Sequence, residues 1–326
     1  MLTRRAALAG LPLVALARPS LAQGTYPNRE IRFLVPYAAG GGQDISARLL
    51  ADPMRAALGQ PVVVENRSGA SGMVAAQALA RAPADGYTLM LGGAGETAVN
   101  HHLFRDKMTY HPVNDLRPVM IVVKVPNVVM ANPNAPFRDI AGLVEYAKAH
   151  PGALSYSSSG IGNPQHLSGE LLNHMAGIRT VHVPYRGSAP AVTDIAAGVV
   201  QFGYNSLASG LPLIQGGQIR AIAVTSKDRM PALPDVPAVA EYPPLSQYEL
   251  VNFFGVYAPA QTPEGVMERL HAVVSNALKE PALRQRFESQ GLLVQSMSLA
   301  ESRAFVAAEA EKFGEIVRVA NIRIDA

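Results

Sequence analysis

One stretch of the chain joins a short apolar run, a glycine loop and a helical pattern. The run Ile31–Val35 indicates a buried strand, and apolar residues recur at helical spacing over 45–50. Three glycines at 40–42 lie between them and let the backbone N–H groups be approached closely. Asp44 is placed to N-cap the helix, whose first N–H groups have no partner within it. The stretch predicts either an anion site for a small acid or a tight turn whose glycines serve only steric needs.

Other motifs exclude several classes of function. A dinucleotide fingerprint needs a third glycine where Ile45 stands, and no Gly-Lys pair exists to form a P-loop. Cysteine is absent, which excludes disulfides, thiolate catalysis and zinc–thiolate sites. Neither the serines at 157–159 nor Ser71 lies in the G-x-S-x-G elbow of serine hydrolases.

The N-terminus has the pattern of an export signal over residues 1–22. Arg4 and Arg5 precede an apolar run at 6–17, and Ala22 ends a small-residue cleavage pattern. The paired arginines suggest the twin-arginine route. Three arginines leave with the signal, so 25 basic residues remain against 25 acidic ones, and no nucleic-acid footprint is expected. We expect cleavage after Ala22 and a soluble periplasmic protein.

The mature chain is long enough for two domains. After removal of the signal, 304 of the 326 residues remain. A chain of that length usually has more than a single hydrophobic core. Short apolar runs alternate with helical patterns, which predicts an α/β protein with mainly parallel sheets. The long apolar segment Leu116–Ala131 predicts a first crossing between domains, and 219–225 a return. We therefore predict an export signal at 1–22, a first domain at 23–125 plus 227–326, and a second domain at 126–226.

A second loop of small residues, at 157–166, resembles the first in its chemistry, and it would face the first across a cleft. Three side chains near these loops have two interpretations each. Tyr37 is a ligand lid or a core aromatic, His166 a ligand contact or a helix cap, and Arg186 a counter-charge or a solvated side chain. The adjacent His101 and His102 lack further ligands at metal-binding spacing, so no metal is expected.

An ordered set of segments resembles one family of binding proteins. The segments are Tyr26-Pro27, Val35 to Asp44, Val63 to Arg67, Asp85 to Leu89, Ser159-Gly160 with His166-Leu167, His182 to Pro190, Ala223 to Ser226, and Leu233 to Pro237. Together they span nearly all of the mature chain. The chain thereby resembles the extracytoplasmic solute-binding proteins of the tripartite tricarboxylate transporter system, the Bug family.

The resemblance implies a fold and a site. The fold would be a two-domain periplasmic binding protein, a type II-like Venus flytrap whose halves close on a ligand. A small carboxylate would be held mainly by backbone N–H groups and bridging waters, with no cofactor and no catalysis. The partners would be the ligand and the membrane permease subunits, and the protein would be a monomer. The ligand-binding residues so predicted are Tyr37, Ala38, Gly40, Gly41, Gly42, Asp44, Ser158, Ser159, Gly160, His166, Tyr185, Arg186, Gly187 and Asn205.

Two positions depart from the family pattern. Asn205 stands where many members have aspartate, which argues against a cationic group at the distal end of the ligand. Ser68 replaces a common proline. Two other functions stay open from the sequence: a ligand-sensing module that signals to a membrane kinase, and a secreted serine hydrolase, which the missing elbow disfavours.

Overall fold

The computed structural model describes residues 26–323, so the predicted signal at 1–22 lies outside the described residues. The strands are β1 (Ile31–Val35), β2 (Val62–Asn66), β3 (Thr88–Gly93), β4 (Leu116–Ala131), β5 (Ser155–Ser158), β6 (Val181–Pro184), β7 (Phe202–Ser206), β8 (Arg220–Val224), β9 (Val251–Pro259) and β10 (Leu293–Val294). The helices are α1 (Gly42–Leu58), α2 (Met73–Ala80), α3 (Asn100–Leu103), α4 (Ile140–Ala149), α5 (Pro164–Ala176), α6 (Ser188–Ala196), α7 (Leu207–Gln215), α8 (Glu264–Lys279), α9 (Pro281–Glu288) and α10 (Leu299–Val319). The predicted α/β class is confirmed.

The strands form two half-sheets that share β4. The strand order is β2-β1-β3-β9-β4-β7-β5-β6, and β8 and β10 also pair with β4. In the first half, β1 runs parallel to β2 and β3; in the second, β5 runs parallel to β6 and β7. We call the part built on β1, β2, β3 and β9 the first lobe, and the part built on β5 to β8 the second lobe. The carboxyl ends of parallel strands carry the ligand sites of open α/β sheets, and here the loops after them meet between the lobes.

The chain changes lobes within β4. This strand pairs with β9 as far as Pro126 and with β7 from Asn127 onward. The chain rejoins the first half-sheet in β9, where Val251 pairs with Pro126. Before that, Ala238 bridges to Val224 of β8, and the Tyr248 hydroxyl donates to the Ser168 carbonyl in the second lobe at 2.8 Å. The domain limits predicted from the sequence remain predictions, and these contacts associate much of 227–250 with the second lobe.

Apolar spacing explains why α1 forms and where it packs. Leu50, Met54 and Leu58 recur every four residues, are buried, and pack in the core of the first lobe. Burying each such side chain contributes about 1.5–3 kcal/mol. The helix ends at Gly59, whose φ of 67° is left-handed and whose N–H donates to the Arg55 carbonyl. Pro53 lies inside this helix, which continues past it to Leu58. No helix within residues 26–323 is long and apolar enough to cross a membrane.

Candidate functional site

The glycine loop before α1 lies directly against the second lobe. A Cβ on Gly42 would lie 2.5 Å from Ser206 Oγ, and one on Gly41 would lie 4.0 Å from the backbone nitrogen of Ser188. Ser206 is the N-cap of α7, and Ser188 is the first residue of α6. The N-termini of α1, α6 and α7 therefore converge between the lobes. Their orphan N–H groups and partial positive charges favour an anion there.

The structure corrects the predicted role of Asp44. The N-cap of α1 is Gly41, and Asp44 lies in the first turn. Its carboxylate accepts hydrogen bonds from the Gly40 N–H at 2.9 Å, from Asn66 Nδ2 at 3.0 Å and from Arg48 Nε at 3.0 Å. Burial alone would raise the pKa of Asp44, but these three donors outweigh it and hold that pKa below its ordinary value. Asp44 thus shapes the glycine loop as an ionised group.

A cavity of about 440 Å³ opens between the lobes beside this loop. Its second-lobe wall contains Ser159, Gly160, Tyr185 and Arg186 from the predicted set, and Tyr37 lies on the first-lobe wall. The other predicted residues do not line it. The remaining lining residues are Ser68, Gly69, Ala70, Ser71, Gly72, Ile161 and Pro184.

Most of the first-lobe wall comes from a loop that sequence reasoning left out of the site. Gly69, Ala70, Ser71 and Gly72 all have positive φ, at 141°, 45°, 53° and 84°. Such a conformation costs of order 1–3 kcal/mol at each non-glycine residue and persists only where neighbours hold it. Here the Ser71 carbonyl accepts from Asn100 Nδ2 at 2.9 Å. Two glycines flanking two small residues were the available signal, because glycine alone adopts these angles readily.

Tyr37 lies both at the cavity wall and in the core, and its role as a ligand lid stays a prediction. It lines the cavity, yet it is buried and its hydroxyl is held from the core side. Tyr37 Oη lies 3.3 Å from both Ser71 O and Glu96 Oε2. These two contacts fix the position of the ring.

The serine-rich loop of the second lobe is held by two side chains of the α5 N-terminus. Asn163 is the N-cap, and its side chain accepts from the His166 N–H at 3.0 Å. His166 Nδ1 in turn accepts from the Gly162 N–H at 3.1 Å. Burial lowers the pKa of His166 to about 4, so this ring is neutral near pH 7 and can accept that bond. His166 thus supports the loop that carries Gly160 into the cavity wall.

Ser158 and His182 lie at the distance of a nucleophile and its base. Ser158 Oγ lies 2.7 Å from His182 Nε2 and also accepts from the Gly160 N–H at 3.2 Å. Burial, and then the adjacent His166, lower the pKa of His182 to about 2. An imidazole of such low basicity is a poor general base at neutral pH. The pair is better suited to hold the strand end than to attack a substrate.

The segment before α6 places one charge at the cavity. Arg186 lines the cavity, is exposed, and makes no ion pair with any residue from 26 to 323. The Tyr185 hydroxyl donates to Asp194 Oδ2 at 2.7 Å, within the second lobe. Gly187 meets the first lobe, since a Cβ there would lie 3.3 Å from the backbone nitrogen of Ala38.

Asn205 is a fully buried amide whose Oδ1 and Nδ2 both lack a hydrogen-bond partner among the described residues. Ser157 Oγ has the same property. The two lie on one face of the second half-sheet, because Ser157 pairs with Gly203 and Asn205 follows two residues later. A buried polar group without a partner costs about 1–3 kcal/mol. A polar ligand group or a water that bonded to Asn205 would offset that cost.

Histidines occur near another surface cavity, lined by His101, His102 and His111 among others. His102 Nε2 lies 2.8 Å from the Ala310 carbonyl oxygen, and His111 Nδ1 accepts from the Val113 N–H. Within the described part of the chain, no three His, Cys, Asp or Glu residues are grouped so that they could hold a metal ion.

The chain is similar to known proteins over most of its length. A family model described as "Tripartite tricarboxylate transporter family receptor" matches residues 46–322. Protein BugT of Bordetella pertussis is 34% identical over 321 residues, which is 97% of each chain. An R. palustris protein solved with adipate is 35% identical, covers 91% of this chain and 99% of its own, and superposes with a TM-score of 0.89. MatC from Rhodopseudomonas palustris with bound malate is 30% identical, covers 90% and 100%, and has a TM-score of 0.85.

Proposed function

The chain belongs to the tripartite tricarboxylate transporter receptor family, and we propose that it binds a small carboxylate-containing solute in the periplasm. It would then deliver that solute to the membrane permease subunits of a transporter of this type. We expect export through the N-terminal signal, cleavage after Ala22 and a monomer in solution. N-terminal sequencing tests the cleavage site, and light scattering tests whether the protein is a monomer.

One observation carries the proposal: three helix N-termini meet at the glycine loop between the lobes. Orphan N–H groups from α1, α6 and α7 supply hydrogen-bond donors without a buried cation. A hydrogen bond to a charged group contributes roughly 1.5–3 kcal/mol, so two or three of them would supply much of the binding free energy of a carboxylate. Arg186 adds long-range attraction from the cavity wall.

The second lobe suggests what lies at the other end of the ligand. The Asn205 amide is neutral and can donate as well as accept a hydrogen bond. It therefore suits a second carboxylate, a hydroxyl or a keto group better than an ammonium. Adipate and malate, found in two similar structures, are acids of this class.

The experiment is a thermal-shift screen of the chain from Gln23 against mono-, di- and tricarboxylates, followed by calorimetry. Adipate and malate lead the panel, and the neutral diamide of adipate is the matched control. A ligand at a hundred times its Kd stabilises a protein by about 2.7 kcal/mol, which is several degrees in Tm. We expect that shift with an acid and none with the diamide. Equal shifts with both, or none with any acid, would refute the proposal.

A further inference from the structure

Glu96 is a buried acid that the proposed site does not yet use. It lies in the π-turn Gly95–Val99 that follows β3, and it is 1% exposed. Its Oε1 accepts hydrogen bonds from the Gly93 N–H and from Gln43 Nε2, and its Oε2 accepts from the Tyr37 hydroxyl. Each of these donors is neutral. The carboxyl group therefore has hydrogen bonds within residues 26–323 but no ion pair there.

Only one layer of atoms separates this carboxyl group from the cavity. Tyr37 and Gly72 both line the cavity. Tyr37 Oη lies 3.3 Å from Glu96 Oε2, and a Cβ on Gly72 would lie 3.0 Å from the same oxygen. Gln43 also ties Glu96 to the first turn of α1, since its Nε2 lies 2.9 Å from Glu96 Oε1. Glu96 thus contacts the first turn of α1, Tyr37 and the positive-φ loop from the side away from the cavity.

We propose that Glu96 is a positioning residue that couples binding of the carboxylate solute to the uptake of protons from solvent. The inference rests on the proposed function, because it requires an anionic ligand in this cavity. Two neighbouring carboxylates repel each other in a buried site, so an arriving anion favours the neutral form of Glu96. The proton that binds Glu96 Oε2 comes from the bulk solution, and no other group changes its charge.

The hydrogen bonds of Tyr37 allow both states of the acid. When Glu96 is ionised, the Tyr37 hydroxyl donates to Oε2. When Oε2 carries the proton, it donates to Tyr37 Oη, and the Tyr37 hydroxyl turns to the Ser71 carbonyl, which is also 3.3 Å away. Ser71 belongs to the positive-φ loop in the cavity wall. Protonation therefore gives that loop an additional hydrogen bond as the ligand binds.

The affinity of Glu96 for protons falls in the range this coupling needs. Burial raises the pKa of Glu96 to about 7, against the lowering effect of hydrogen bonds from Gly93, Gln43 and Tyr37. The phenols that face it are those of Tyr37, Tyr110 and Tyr257, and burial raises the pKa of each above its ordinary value. None of them ionises near neutral pH.

The other elements that pack on this turn contribute apolar side chains and two histidines. From α10 come the apolar side chains of Val306, Ala310 and Phe313. From α3 come His102, whose ring contacts the Ala310 carbonyl, and His101, whose pKa burial lowers to about 4. Across the cavity, His166 is also neutral above pH 6, because burial lowers its pKa to about 4. Between pH 6 and 9, Glu96 is the buried acid beside the cavity that we expect to titrate.

The test measures affinity for adipate, and in parallel for malate, by calorimetry between pH 6 and 9 in two buffers of different ionisation enthalpy. A rise of about 1 unit in the pKa of Glu96 on binding makes the affinity about tenfold weaker at pH 9 than at pH 6. The buffer comparison should show a fraction of a proton taken up, largest near pH 7.5. Glu96→Gln imitates the protonated acid, and it should bind with little pH dependence and no proton uptake. Glu301→Gln, which preserves an exposed cap of α10, is the matched control and should behave as wild type.

The pH dependence of folding stability, measured without ligand, gives a separate test of the proposal. A buried Glu with a raised pKa is protonated in the folded state at pH 5, and stability falls as the pH rises from about 4.5 to 7. Glu96→Gln should therefore gain stability relative to wild type over that range, as measured by chemical unfolding at pH 5 and pH 8. Tyr37→Phe removes a donor to the ionised acid, so the midpoint of this transition should move to higher pH.

The outcomes separate the two proposals. If adipate and malate bind wild type and Glu96→Gln with the same pH dependence, the coupling is refuted while the binding function stands. If no acid on the panel binds, the proposed function fails. If the stability of wild type and of Glu96→Gln depends on pH in the same way, the proposed titration of Glu96 is refuted.

Discussion

In the first lobe the buried acids Asp44 and Glu96 have hydrogen-bond partners, whereas in the second lobe the buried side chains of Asn205 and Ser157 have none among the described residues. Asp44 accepts from three donors, and Glu96 is likewise bonded to three. Buried carboxylates that have all their hydrogen bonds hold the neighbouring loops in place, so the backbone N–H groups of those loops have fixed positions. A wall with an unsatisfied amide gains from any ligand that satisfies it. We infer that helix N-termini of both lobes hold the carboxylate and that Asn205 of the second lobe selects among acids.

The lobes also respond oppositely to pH. The first lobe buries Glu96, whose raised pKa makes the fold more stable as the pH falls toward 4.5. The second lobe buries His166 and His182, whose lowered pKa values make the fold less stable as the pH falls below 6.5. We therefore expect acid to stabilise the first lobe through Glu96 and to destabilise the second lobe through its two histidines.

The largest effect is expected where the lobes touch. Gly42→Val places side-chain atoms where a Cβ alone would lie 2.5 Å from Ser206 Oγ, so the lobes cannot close on a ligand. We expect a loss of affinity of more than a hundredfold, about 3 kcal/mol or more, because two or more charged hydrogen bonds are lost. Calorimetry with adipate measures this, and small-angle scattering should show contraction with ligand in wild type only.

The control for that variant is its neighbour. Gly41 has a φ of −79°, and a Cβ there would lie 3.4 Å from the Ala38 carbonyl, an ordinary contact. Gly41→Ala should therefore bind within a few-fold of wild type. Equal losses in the two variants would contradict the idea that contact between the lobes, rather than loop flexibility, makes the site.

The next effect concerns acid stability. In the unfolded chain His166 takes up a proton near pH 6.5, but in the folded protein only near pH 4, because it is buried. Wild type should therefore lose about 2–3 kcal/mol more than His166→Gln between pH 7 and pH 4.5. Urea unfolding at the two pH values measures this. A larger loss in the variant than in wild type would reverse the assignment of the acid-sensitive lobe.

Asn205→Leu tests selection by the second lobe. Leucine keeps the branch at Cγ and removes the unpartnered amide, so the ligand-free protein should be more stable by about 1 kcal/mol. Affinity for a dicarboxylate should fall roughly tenfold to a hundredfold, with a much smaller change for a monocarboxylate of similar length. Calorimetry with the dicarboxylate and the matched monocarboxylate measures the two changes in affinity. Equal losses for both acids would mean that Asn205 acts on the common carboxylate.

The smallest effect is expected from Arg186→Ala. The side chain is exposed, so water and salt screen its charge, and we expect a loss of no more than about tenfold that disappears at high ionic strength. Arg179→Ala removes another exposed arginine of the same lobe and should have no effect. If Arg186→Ala abolished binding while Gly42→Val retained it, a side-chain ion pair would replace the backbone grip.

Much of this protein follows from its sequence. The alternation of apolar runs with helical patterns predicted the α/β class, and the ordered segments from Tyr26 to Pro237 predicted the family, both of which are confirmed. These features are local, since the spacing of apolar residues and the presence of glycine act through the backbone near them. Local chemistry likewise predicted that the 40–42 loop precedes a helix, and it does.

Only the tertiary structure decided how individual side chains behave. The carboxylate of Asp44, in the first turn of α1, is held by Asn66, Arg48 and the Gly40 N–H, and the backbone of Gly40 has a positive φ. The 69–72 loop enters the site because Asn100, distant in sequence, bonds to it. Residues from several strands and helices exclude water from Glu96, His166 and Asn205. This desolvation shifts the pKa values of Glu96 and His166 and leaves the Asn205 amide without a partner among the described residues. Desolvation and hydrogen bonding sum over neighbours in space, and a sequence pattern records only neighbours along the chain.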